Sequence, residues 1–148
     1  MDTKKIILIN ASKIYLGIVL FFFLMKFFNL EQITELRLLN FIFVFWGINS
    51  AIKKNIFTNH ENDYVQNLYV GFATSFLAII LLGVSLNIYL SYIDPNLITV
   101  MEDLKIWGSN LNPVLITFAI LIEGISSSLI CTFILMQYWK KYKISGGV

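Results

Sequence analysis

The chain has 148 residues, 57% of them hydrophobic and 14% charged, with a formal net charge of +2. Soluble domains are about half apolar and a quarter charged, so these proportions exclude an ordinary water-facing surface and point to a one-domain membrane protein with a mean hydropathy of +0.75. The lysines flank apolar runs and leave no basic face for nucleic acid, and the single cysteine, Cys131, excludes an intrachain disulfide and any two-cysteine redox or metal motif.

Lys4 and Lys5 precede a short apolar patch, Ile6 to Ile9, and the first long run follows over residues 12–28. Its uncharged centre, Ile14 to Met25, falls short of the ~18 residues that mark a span, although Lys13 and Lys26 extend it by snorkelling. Lys26 and its phenylalanine neighbours stand where a signal peptide would carry a small-residue cleavage site, so the run is expected to be retained as an anchor. Asn10, Ala11 and Ser12 have the form of a glycosylation acceptor but lie on the lysine-rich side, away from the modifying machinery.

Asn29, Glu31 and Gln32 read as a helix start with a reciprocal cap. The second run covers residues 33–52 and ends at Lys53 and Lys54. The positive-inside rule decides that it spans. With four spans, the N-terminal segment, the middle loop and the C-terminal tail share one side and eight lysines, against three basic residues opposite. Both termini are therefore expected to be cytoplasmic. The middle loop, Lys53 to Asn67, holds His60, Glu61 and Asp63, which are metal-capable types without a helical i, i+4 spacing; a solvated loop with no metal is expected.

The third run, residues 69–93, carries no charge. Gly71, Ser75 and Gly83 repeat at multiples of four and Asn87 continues the stripe, which predicts a close helix contact but does not name the partner helix. Asp94 and Pro95 then form an N-cap and first-turn pair. Leu97, Val100, Met101, Leu104 and Trp107 recur at helical spacing opposite Asn96, Thr99, Glu102, Asp103 and Lys105, predicting a short amphipathic helix on the outer membrane surface with Trp107 at headgroup level.

The last run, residues 113–139, carries Glu123 among apolar residues, and an ionisable group in a span is a functional-site hypothesis by default. Ser127 and Cys131 follow at i+4 and i+8, beside a small stripe of Gly124, Ser128 and Thr132, so this face is expected to point into protein. Tyr138, Trp139 and Tyr142 with Lys140, Lys141 and Lys143 form an aromatic and basic anchor at the cytoplasmic face.

The segments ASKIYLGIVL, WGINSAIKKN, DYVQNLYVGFATSFLAII and IYLSYIDPNL resemble those of a family of small bacterial four-span membrane proteins catalogued as a domain of unknown function. The resemblance covers most of the chain and implies a four-helix architecture in the bacterial inner membrane. It supplies no activity, substrate or functional residue.

The expected fold is thus an all-α membrane protein: one domain of four transmembrane helices, with a short amphipathic helix in the outer loop between the third and fourth. No catalytic motif or cofactor signature is present, and an enzyme is not expected. Counted inward along their helices, Asn87 and Glu123 fall within about one turn of each other in depth, and Lys26 and Asn40 enter from the same outer side, making a polar cluster geometrically possible, with Ser127 one turn from Glu123. Two functions follow. In the first, the cluster is structural, and the bundle associates with membrane lipid, with copies of itself, or with another membrane protein as an accessory subunit. In the second, Glu123 is a proton or cation site in a small channel or transporter.

Overall fold

The computed structural model describes residues 1–105 and 107–141. Among these residues there is no strand, and four helices are long and apolar enough to cross a membrane. Tyr142 and Lys143 of the expected anchor lie outside the described residues.

Helix α1 spans Thr3–Phe27, nine residues longer at its start than the hydrophobic run suggested. The polar residues Asn10 and Ser12, which break the run in sequence, turn their side chains back on their own helix. Asn10 Nδ2 donates to the Ile6 carbonyl at 2.8 Å and Ser12 Oγ to that of Leu8 at 2.9 Å, so neither interrupts the span. Asn10 is fully buried, which removes the glycosylation-type triplet from reach.

The expected helix start at Asn29 is corrected: Asn29 closes α1. It adopts the left-handed conformation, with φ of 55°. The Leu30 N–H bonds the Met25 carbonyl at 2.8 Å and the Asn29 N–H that of Lys26 at 3.1 Å, the paired bonds of a Schellman motif. Asparagine serves both as N-cap and as left-handed C-terminal residue, and here the second role wins. The next segment is a 3₁₀ helix over Thr34–Leu39 that runs into α2, Asn40–Asn59. Helix α2 continues past Lys53 and Lys54 and ends at His60, again left-handed with φ of 53°.

Helix α3 spans Tyr64–Ile88, started by Asp63, whose Oδ1 accepts from the Val65 N–H at 3.1 Å. The middle loop is therefore only residues 60–63, much shorter than the stretch read as solvated. Its asparagines are structural. Asn55 Nδ2 donates to Asn67 Oδ1 at 2.9 Å, and Asn67 Nδ2 caps the carbonyls of Glu61 and Asp63 at 2.9 and 3.0 Å. The polar residues thus tie α2 to α3 at this end.

At its other end α3 widens into a π-helical turn, Tyr89–Ile93, closed by the Asp94 N–H on the Tyr89 carbonyl at 3.0 Å. The short helix α4 follows at Asn96–Asp103, and α5 spans Pro113–Trp139. Asp94 does not cap α4 through its side chain, because that carboxylate is engaged by Lys26. The apolar face of α4 is turned to the protein: Leu97 is buried with Leu90 of the π turn and Ile116 of α5, and Met101 and Trp107 pack beside them. Helix α4 therefore closes one end of the bundle, here termed the cap end. Opposite it is the lysine end, where α1 begins with Lys4 and Lys5, α2 carries Lys53 and Lys54, and α5 runs out to Lys140.

Helix α3 contacts each of the other three long helices. Helix α5 packs chiefly on α3 and less on α2, with which it runs parallel, while α1 packs on α2 and α3. The core contains Ile14 of α1, Ile48 and Ile52 of α2, Ala78 of α3, and Leu135 and Met136 of α5. The outward faces are apolar as well, with Leu20, Val84, Phe118 and Ile130 exposed. Helices hydrophobic all round suit lipid rather than water.

Candidate functional site

Helix α5 positions Glu123 by simple periodicity. Consecutive residues on an α-helix are ~100° apart, and Gly124, Ser128 and Thr132 are the positions that face α3. A Cβ on Gly124 would lie 3.0 Å from Ile79 Cγ2, a Cβ on Gly71 2.9 Å from Thr132 Cγ2, and Ser75 and Ser128 share a hydrogen bond between their hydroxyls. A Cβ on Gly83 would likewise stand 2.9 Å from Leu121 Cδ2. The small stripe of α3 and that of α5 thus face each other, naming the partner helix that periodicity left open.

With that face committed to α3, Glu123 falls at the rim of α5, toward α2. The expectation that it points into the protein is corrected: its side chain is 48% exposed. Its partner is the chain's sole arginine, Arg37, in the 3₁₀ segment, with Nη2 3.3 Å from Oε2. The guanidinium also lies over the Trp107 ring, 4.6 Å from its centroid, a cation–π geometry. Ser127, one turn along, is buried, and its hydroxyl donates to the Glu123 carbonyl rather than to the carboxylate.

The other expected members of the cluster have separate partners. Lys26 reaches Asp94 and the Tyr89 hydroxyl across the π turn, its ammonium 5.1 Å from the Tyr89 ring centroid. Asn87 Nδ2 donates to Thr117 Oγ1 at 3.2 Å, pinning α3 to α5. The Oδ1 of Asn40 is buried without a hydrogen-bond partner. Among the described residues no hydrogen bond or ion pair joins any two of Lys26, Asn40, Asn87 and Glu123. Similar depth in a bundle is not proximity, because each residue faces a different neighbour.

Of the expected anchors, Tyr138 is exposed, as are Lys140 and Lys141. Trp139 is not at the surface: it is buried, its ring lies against Phe57, and its Nε1–H donates to Asn49 Oδ1 at 2.8 Å. That bond and the Arg37–Glu123 pair hold α2 to α5 at opposite ends. Between them a groove of about 390 Å³ opens sideways, lined by Phe41, Ile42, Phe45, Trp46, Asn49 and Cys131.

Sequence reasoning passed over Arg37, Asn49 and Asp94 as site residues. A lone arginine beside a run that must span was a signal for an ion pair; nothing in the sequence marked Asn49 as facing a tryptophan ninety residues away. His60 is exposed in the loop, and among the described residues no three His, Cys, Asp or Glu side chains are grouped so as to hold a metal.

The fold is that of an all-α bundle with four helices suited to crossing a membrane. No family model, curated protein or solved structure matches the chain.

Proposed function

We propose that this chain is a small multi-pass protein of the bacterial cytoplasmic membrane with a structural or interaction role, acting as a homo-oligomer or as an accessory subunit of a larger membrane complex. One observation carries this reading. Three pairs of polar residues join neighbouring helices, Ser75 with Ser128, Asn87 with Thr117 and Asn49 with Trp139, while Ile14, Ile48, Ile52 and Met136 are buried between the helices. Polar groups spent on joining helices support a structural role over a conducting one. The gathering of Lys4, Lys5, Lys53, Lys54 and Lys140 at one end supports an orientation with that end, and both termini, in the cytoplasm. The sequence resemblance to four-span bacterial membrane proteins agrees with that placement.

The test is the size of the assembly extracted from native membrane into lipid nanodiscs, with co-purifying membrane proteins identified by mass spectrometry. A lone monomer with no partner at native expression level refutes the reading.

A second reading, a small proton or cation pathway, draws support from the exposure of Glu123 on the outer surface of the bundle. Association of copies would bring that carboxylate to a shared interface. Proton- and cation-driven flux into liposomes, compared between the parent and Glu123→Gln, decides it: loss of flux in the variant supports a pathway, and equal or absent flux removes it.

A further inference from the structure

The seam between α2 and α5 goes beyond a general interaction role. Its groove is apolar and aromatic over Phe41, Ile42, Phe45, Trp46 and Cys131, and it opens toward the surroundings rather than into the bundle. At its cap end stands an ion pair that is far from saturated. The Arg37 guanidinium has five N–H donors and makes one hydrogen bond, of 3.3 Å, to a protein atom among the described residues; the Glu123 carboxylate accepts that single bond and is about half exposed. Phe41 follows Arg37 by four residues on the α2 side and Cys131 follows Glu123 by eight on the α5 side, so the charges lie one to two helical turns from the slot, toward the cap end.

Depth fixes what such a pair meets. From Glu123 to Trp139 is sixteen residues of α5, ~24 Å of rise. The hydrocarbon core is ~30 Å thick. With the lysine end at one boundary, the pair lies ~6 Å inside the other, a depth at which long charged side chains still reach phosphate groups. Lipid phosphates are therefore within reach of the pair from above, and the slot below lies among acyl chains.

We propose that this seam binds one phospholipid with an ammonium–phosphate headgroup, of the phosphatidylethanolamine type. An acyl chain occupies the groove over Phe45 and Trp46, the phosphate takes the unused donors of Arg37, and the ammonium is held by Glu123. The charge pattern selects this class. The pair is neutral as a whole and presents one cation and one anion side by side, which matches a zwitterion. A purely anionic headgroup would set its charge against the Glu123 carboxylate, and a quaternary choline has no N–H to donate to it. The Trp107 ring lies against the guanidinium without taking up any of its N–H donors.

The proposal does not depend on the oligomeric state and is tested on the full chain in bilayers. Purified protein is placed in phosphatidylcholine vesicles doped with lipids brominated on one acyl chain, bearing ethanolamine, choline or glycerol headgroups. Tryptophan quenching is read in the parent and in Trp46→Phe, the difference reporting the groove. The expected result is about tenfold tighter association of the ethanolamine lipid than of the other two, the scale of a charge-assisted hydrogen bond, with the preference lost in Glu123→Gln and in Arg37→Gln while helicity is unchanged. The headgroup series on the parent stands by itself if a variant misfolds. Equal quenching by all three lipids means unselective contact with bulk lipid and overturns the proposal. So does a preference for the glycerol headgroup, as does cysteine cross-linking of Phe45→Cys between copies in a Cys131→Ser background, which would give the seam to a second copy.

Discussion

Gly47 offers the sharpest test of how α1 and α2 fit together. A Cβ placed there stands 2.6 Å from Ile14 Cδ1 and closer still to Cγ1. Carbon atoms in contact sit ~3.5–4.0 Å apart, so Ile14 must move by about 1 Å. It has nowhere to go, being fully buried within the central core. Overpacking of this kind costs about 1–3 kcal/mol. Against it, replacing glycine by alanine in an open helix stabilises by about 1 kcal/mol. The two effects have opposite signs, and with Ile14 unable to move the clash wins: Gly47→Ala should destabilise by up to about 2 kcal/mol, lowering a thermal midpoint by up to about 8 °C. The chain supplies its own probe, because Cys131 is buried and is the sole cysteine. Its reaction with a thiol-specific fluorophore in detergent, followed against temperature, reports opening of the α2–α5 region. Truncating Ile14 makes room, so Ile14→Ala combined with Gly47→Ala should cost less than the sum of the two single changes by about 1–2 kcal/mol. A raised midpoint for Gly47→Ala would show that helix propensity governs this position and that the contact with α1 is not as described.

Three further outcomes are expected. Ser75→Cys with Ser128→Cys, in a Cys131→Ser background, should cross-link α3 to α5 under mild oxidation, whereas Ser75→Cys with Ser126→Cys, whose side chain is on the exposed side of α5, should not; equal yields would refute the facing of the two small stripes. Asn49→Leu leaves the buried indole N–H of Trp139 without its acceptor and should destabilise by about 1–3 kcal/mol, measured by the same thiol-protection assay, with Trp139→Phe in addition restoring part of the loss; strictly additive losses would mean the bond is not made. Asp94→Asn and Lys26→Gln should each weaken the cap end by about 1 kcal/mol, the pair being partly exposed, and the double variant should be little worse than either single one; hydrogen exchange of the π-turn amides reads the effect, and full additivity would sink the coupling.

Much of the architecture is legible in the chain because lipid makes strong, local demands. Twenty-odd apolar residues must form a helix, since in hydrocarbon every backbone group has to be satisfied within the segment, and residues 113–139 do so between Asn112 and Lys140. The helix ends were harder to read. Asn29, Asn10 and the middle-loop asparagines all look like polar interruptions in sequence, yet in the structure Asn29 terminates α1, Asn10 bonds its own turn, and Asn55 and Asn67 pair across α2 and α3. An amide side chain can satisfy itself within a helix, at its end or on a neighbour, and sequence does not say which.

The candidate site shows the same division. Periodicity placed Gly71, Ser75, Gly124 and Ser128 on small stripes, and composition marked Glu123 as unusual; the sequence by itself thus determined the helices, their small faces and the odd charge. Only the tertiary structure decided what each one meets. Which stripe faces which depends on how the four helices are arranged around α3, and once α5 turns its small face to α3, Glu123 is carried to the rim and into reach of Arg37. Partners so far apart in the chain are brought together by packing, and packing is a property of all the helices at once.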